Sequence, residues 1–146
     1  MRAKDFFSQE QREDIRQAIL NAELDTSGEI RVHIETNCKG EVLDRAAYLF
    51  KKLNMHDTEL RNGVLFYLAV NNRKFAVLGD KGINAVVPDD FWDDIKMILL
   101  NQFRENHFTE GLVEGIGKVG EKLKKHFPHQ SDDINELPDD ISFGEE

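Results

Sequence analysis

Residues 61–92 read RNGVLFYLAVNNRKFAVLGDKGINAVVPDDFW, and this stretch decides the fold. Positions 63–70 are an unbroken apolar run of strand length, which suits a strand covered on both faces and predicts a place at the centre of a sheet. Asn71, Asn72 and Arg73 supply a turn tolerant of left-handed backbone, and 74–78 resumes a β-prone apolar run, so the two runs read as a hairpin of antiparallel strands. Positions 79–82, GDKG, leave the sheet through a flexible polar bend. Pro88-Asp89-Asp90 then stops the next apolar patch and opens a helix near Phe91.

Working outward, Ser8 with Gln11 three residues on is a capping-box pattern, and Ile15, Ala18, Ile19 and Ala22 share a helical face that runs out near Ser27-Gly28. Positions 29–36, EIRVHIET, alternate with a period of two. One face is expected on the core and the other toward solvent or the sheet margin, which argues against a central position. Leu43, Ala46, Ala47, Phe50 and Leu53 form a second helical stripe, so strand, helix and strand make a parallel, right-handed crossover. Two further stripes follow, one through Phe91, Ile95, Ile98, Leu99 and Phe103, the other through Leu112, Val113, Ile116, Val119 and Leu123. The pattern predicts an α/β fold: a three-layer α/β/α sandwich whose mixed central sheet of about four strands is flanked by helices.

The 146 residues fit one domain large enough to fold on an apolar core without disulfides or metals. The formal charge of -9 is unevenly spread. Positions 130–146 hold seven of the 28 acidic residues and no Lys or Arg, leaving 21 acidic against 19 basic before them. The division expected is a domain over 1–127 and an acidic, disordered tail over 128–146. A nearly neutral domain with no basic stripe gives no reason to expect nucleic acid. The opening MRAKDFFSQEQRED lacks the apolar core of a signal peptide and no segment approaches membrane-spanning length, so the expectation is no membrane and a cytoplasmic monomer. A chain whose leader had been removed would read the same. The lone Cys38 fits a reducing compartment.

Several motifs, taken in order, carry a family resemblance. Ser27-Gly28-Glu29-Ile30 before an alternating strand, Asn62-Gly63-Val64-Leu65, the Asn72-Arg73 turn, the loop from Gly79 to Gly82, Val87-Pro88-Asp89 and His107-Phe108-Thr109-Glu110-Gly111-Leu112 resemble the TPM domain. The likeness covers roughly Phe6 to Phe127, nearly a whole domain by size. It implies a Rossmann-like sandwich and, from what is known of other members, either calcium held by acidic loops or acid phosphatase activity. Most bacterial members are exported and membrane-anchored, so this chain resembles a stand-alone member.

If the first two strands are parallel, Glu29 and Asn62 mark their starting ends at one edge of the sheet, and the antiparallel third strand finishes there. Asp25, Asp57 in the MHDTE loop, Asn62, Asp80, Asp89 and Asp90 should then converge. Carboxylate, amide and backbone oxygens gathered at one edge suit calcium, or magnesium if the geometry tightens. The bland alternative is that Asp89 and Asp90 cap a helix and Asp80 serves a turn.

Other motifs lack the context their chemistry needs. Gly115 to Gly120 spells GxGxxG inside a late helix with no strand before it, so close helix packing is the better reading. Cys38 and Arg45 are one residue too far apart for a CxxxxxR phosphate loop, and a thiol there would have no activator. No serine sits in GxSxG, and the histidines show no HExxH spacing. His56 beside Asp57 is the one histidine to weigh for acid–base work, and an ordinary surface histidine is the better reading. The readings that follow are a non-catalytic domain binding a divalent cation, a metal-assisted acid phosphatase on phosphomonoesters, and a metal-free module for an unidentified protein partner. The first is preferred, with no catalytic residue assigned.

Overall fold

The computed structural model describes residues 2–130 and 140–144. A short helix α1 (Ala3–Phe6) precedes α2 (Gln9–Asp25). The Ser8 side chain accepts from the Gln11 N–H at 3.1 Å while the Gln11 side chain accepts from the Ser8 N–H at 2.9 Å, closing the capping box that starts α2. Strand β1 (Glu29–Glu35) leads through α3 (Val42–Lys52) to β2 (Gly63–Ala69), and a tight turn returns the chain as β3 (Lys74–Gly79). Helices α4 (Lys81–Asn84), α5 (Asp93–Arg104) and α6 (Phe108–Leu123) follow, and then a two-residue strand β4 (Ser142–Phe143).

The sheet is mixed and runs β3-β2-β1-β4. β1 pairs parallel with both β2 and β4, and β2 pairs antiparallel with β3. Every residue of β2 is buried, as its apolar run predicts. In the β2–β3 turn the left-handed residue is Arg73 (φ 54°) rather than either asparagine. β1 corrects a sequence expectation: it is an interior strand, and its polar face is covered except for a half-buried Arg31. Alternation reports that a strand has two unlike faces, but not whether the polar one is sealed. Here β4 covers the outer edge of β1, and charge pairing makes the burial tolerable.

The pleat divides β2 between two cores. Val64, Phe66 and Leu68 join Ile30, Val32 and Ile34 of β1 against α2, α5 and α6, where Ile19, Ile95, Leu99 and Ile116 complete a large apolar layer. Leu65, Tyr67 and Ala69 face α3 in a smaller cluster with Ala46, Leu49, Met55 and Ala76. The three-layer α/β/α arrangement is thus present, with unequal outer layers. The GxGxxG stretch lies inside α6 and serves packing. A Cβ on Gly120 would come within 2.8 Å of the Ala22 Cβ, so α2 and α6 meet at a spacing only glycine permits.

Of the segment read as an acidic tail, Pro128 forms an isolated bridge with Thr26, and β4 extends the sheet. Residues 131–139 and 145–146 lie outside the described residues. Among the described residues, no helix is long and apolar enough to cross a membrane.

Candidate functional site

Parallel pairing sets Glu29 opposite Gly63, and β3 ends beside them with Gly79 opposite Val64. The strand ends therefore meet as the sequence anticipates. Asn62 is buried there. Its carbonyl accepts from the Glu29 N–H at 3.3 Å, its Nδ2 donates to Ser27 Oγ at 3.4 Å, and its N–H donates to Thr58 Oγ1 at 3.2 Å. Asp80 is also buried, and its N–H donates to the Gly63 carbonyl at 3.0 Å. Arg61 grips the Asp80 carboxylate with both arms of its guanidinium, Nε to Oδ2 at 2.7 Å and Nη2 to Oδ1 at 3.0 Å. Those hydrogen bonds raise the Arg61 pKa, and burial opposes them. The same carboxylate accepts from the Lys81 N–H at 2.7 Å, so Asp80 caps α4 where a flexible bend is expected from GDKG. Arg61 reaches this position from a left-handed backbone (φ 51°).

The other candidate ligands stand on neighbouring turns. Asp57 is exposed, 3.3 Å from His56 Nε2, and its charge adds to the rise in the Arg61 pKa. Asp25 closes α2, and its carbonyl accepts from the His129 N–H at 3.4 Å. Asp89 and Asp90 lie exposed in the turn before α5, where the Asp90 carbonyl accepts from the Asp93 N–H at 3.1 Å. Trp92, donating to Asn84 Oδ1 at 3.1 Å, ties that turn to α4. The structure thus brings Asn62, Asp80 and Arg61 together with Asp57 close by, and leaves Asp25, Asp89 and Asp90 on separate turns. Among the described residues, no three His, Cys, Asp or Glu side chains stand together as a ready metal cage.

The opposite end of the sheet holds a polar cluster that sequence reading missed. Glu35, at the carboxyl end of β1, is buried and takes three hydrogen bonds. Tyr67 donates its hydroxyl to Oε1 at 2.6 Å, and Arg45 gives Nε to Oε1 at 2.9 Å and Nη2 to Oε2 at 2.5 Å. Burial alone would raise the Glu35 carboxyl, but the bonds from Arg45 and Tyr67 outweigh it and hold the group below the usual carboxylate range. Burial followed by the bond to Glu35 raises the Tyr67 hydroxyl, which stays protonated. His33 is 3% exposed. Burial drives its pKa down to about 4 against the opposing pull of Glu35, so the ring is neutral at physiological pH.

His33 Nδ1 lies 2.7 Å from Ser142 Oγ, and Ser142 Oγ donates to the Val32 carbonyl at 3.3 Å. Ser142 thus bridges the imidazole and the backbone of β1, holding the ring in place. Nε2 faces Glu35 Oε2 across 3.7 Å and has no closer polar partner among the described residues. His33, Glu35, Arg45 and Ser142 line a cleft of about 350 Å³ together with Lys39, Lys52, Leu49 and Leu53. Arg45 is thus committed to Glu35 rather than to Cys38, whose thiol reaches the Gly40 carbonyl at 3.5 Å. The sequence signal for this cluster was Tyr67, a polar tip within an otherwise apolar strand, with Glu35 opposite the same part of the sheet.

An open mixed sheet with helices on both faces and loops gathered at its two ends defines a small α/β domain protein. The TPM domain family matches residues 1–122, and the chain belongs to that family. The structure is similar to the NMR structure of BA42 from the psychrophilic bacterium Bizionia argentinensis, with 49% identity, 97% of each chain covered and a TM-score of 0.92. The N-terminal domain of a protein from P. gingivalis shares the fold at 20% identity, covering 86% of this chain and 82% of that one, with a TM-score of 0.71. So does the N-terminal domain of cg2496 from Corynebacterium glutamicum, at 13% identity, 97% and 82% coverage and a TM-score of 0.65. No curated protein matches the chain.

Proposed function

We propose that this TPM domain binds a divalent cation, calcium in preference to magnesium, at the end of the sheet where β1 and β2 begin, and that it catalyses no reaction there. The observation that carries the reading is the meeting of oxygen-bearing groups at that end: the Asp80 carboxylate and Asn62 at the strand ends, with the Asp57 carboxylate alongside. The donor set is all oxygen, the chemistry calcium takes in flexible geometry. Asp80 is held by Arg61, so the first carboxylates to engage an ion are those of Asp57, Asp89 and Asp90. Asp25 and Asn62 supply further oxygens. Coordination is completed on binding, as the turns carrying these residues close around the ion. Calcium thereby stiffens these turns and presents them to a protein partner.

The test is a calcium titration of isotopically labelled protein followed by backbone amide spectra, repeated with magnesium. Saturable shifts at Asp25, Asp57, Asn62, Asp80, Asp89 and Asp90, tighter for calcium, are the expected result. An unchanged spectrum at all six would overturn the proposal and leave these carboxylates as caps and turns.

A further inference from the structure

We infer, resting on the cation reading above, that Arg61 is the tethered counter-ion of that site: its guanidinium takes the place of the metal in the ion-free domain, and calcium binds by displacing it. Burial is the first consideration. Of the six candidate ligands only Asn62 and Asp80 are buried, and Asp80 is the carboxylate of the two. A buried carboxylate needs a counter-charge. The chain supplies it from the rim, for the Arg61 side chain is 35% exposed and that of Asp80 only 7% or less, at 6%. The exposed partner of the pair is the one that moves when an ion reaches Asp80.

The bonding at Asp80 is the second. Arg61 holds Oδ2 through Nε at 2.7 Å and Oδ1 through Nη2 at 3.0 Å, whereas the helix cap is a separate bond from the Lys81 N–H to Oδ1 at 2.7 Å. Withdrawing Arg61 frees Oδ2 and part of Oδ1 and leaves α4 capped. Calcium takes carboxylate oxygens one or two at a time, so the exchange needs no unwinding of α4.

Charge decides which cation displaces it. The Asp57 carboxylate also acts on Arg61, so one positive charge faces two negative ones. A divalent ion in its place neutralises both. A monovalent ion carries no more charge than the guanidinium and lacks its fork geometry. Arg61 therefore raises the threshold for every ion and discriminates against monovalent ones. Its backbone also touches α4: the Arg61 carbonyl accepts from the Gly82 N–H at 2.9 Å, and a Cβ on Gly82 would stand 2.6 Å from that carbonyl oxygen. The Gly82 amide is thus placed to report the displacement.

The full chain, labelled with nitrogen-15, is titrated with calcium while the arginine Nε–H signals and the backbone amides are followed, and the titration is repeated on Arg61→Gln and Arg61→Lys. In the parent the Arg61 Nε signal should move to the position of a solvated arginine, with the same midpoint as the amides of Asp57, Asp80 and Gly82. Sodium at matched ionic strength should leave it in place. Arg61→Gln should bind calcium about tenfold more tightly, the factor set by a pair closed about nine-tenths of the time. Arg61→Lys, which keeps the charge and loses the fork, should fall between. If Arg61→Gln does not fold, the parent Nε signal and Arg61→Lys decide on the same terms. The inference fails, and the cation reading stands, if calcium moves the amides of Asp57, Asp89 and Asp90 with the Arg61 Nε signal unmoved, or if Arg61→Gln binds no more tightly than the parent. Calcium that moves nothing in either protein overturns both. Calcium that binds Arg61→Gln alone overturns the cation reading for the parent and upholds Arg61 as the group that excludes the ion.

Discussion

The two faces of one sheet solve burial differently. Toward α2, α5 and α6 the residues of β1 and β2 are aliphatic or aromatic, and the layer is held by close packing, with Gly120 against Ala22 setting the helix spacing. Toward α3 the same β1 offers Glu29, Arg31, His33 and Glu35, and burial is made tolerable by hydrogen bonds among Glu35, Arg45 and Tyr67. The first face loses stability in proportion to the space a mutation leaves. The second loses it according to which charge is left without its partner.

That contrast predicts its largest effect at Glu35. Glu35→Ala strands Arg45 and Tyr67 and should cost about 3–5 kcal/mol in urea unfolding. Glu35→Met combined with Arg45→Met removes both charges and should recover much of that loss, leaving only the Tyr67 hydroxyl without its acceptor, since buried pairs replaced together by apolar groups are often neutral. On the apolar face Ile116→Ala should cost about 2–5 kcal/mol with no such rescue by a second truncation. If the double Met variant is as unstable as Glu35→Ala, the distinction between the faces collapses.

Acid sharpens the comparison next, because only the α3-side face titrates. His33 holds its proton to about pH 4 in the folded chain against an ordinary value of 6.5. Between those values the unfolded chain binds a proton that the folded one lacks, so stability rises with pH across this window and is flat above it. The span is worth up to about 3 kcal/mol. The depressed Glu35 carboxyl has the same sign, its stabilisation being lost as pH falls through its folded value. Stability measured by urea midpoints from pH 7 to pH 4 should fall, and His33→Gln should flatten the slope.

Two glycines of α6 complete the series. Gly120→Val drives a side chain into Ala22 and should cost about 1–3 kcal/mol. Gly117 has open space where a Cβ would stand, and Gly117→Ala should add about 0.5–1 kcal/mol by restricting the unfolded backbone. Thermal melts of the two variants should move in opposite directions.

Much of the apolar face was legible from sequence because its signals are local. The capping box at Ser8, the hairpin from β2 to β3 and the helical stripes each fall within a span the eye can test against one period. The polar face was not legible in this way. EIRVHIE reads as half-exposed until its cover is known, and that cover comes from Arg45, Tyr67 and Ser142. Asp80 shows the same limit at the other end: its spacing announced a turn residue, while its pairing with Arg61 depends on two strand ends meeting. The helices α1 and α4 span one turn each, too short for periodicity to register.

The hydrogen bond between His33 and Ser142 links positions 109 residues apart, and the strand that makes it is two residues long. The chain is already pinned at Pro128 by its bridge to Thr26, so docking β4 closes only the stretch that follows, and a two-residue strand returns few ladder bonds for that closure. The last strand should therefore detach and rejoin while the remainder of the sheet stays paired. Its signature would be deuterium uptake. The Gly144 amide, bonded to the Ile34 carbonyl at 2.9 Å, should exchange by local opening, whereas the amides of β2 wait for the whole domain to unfold.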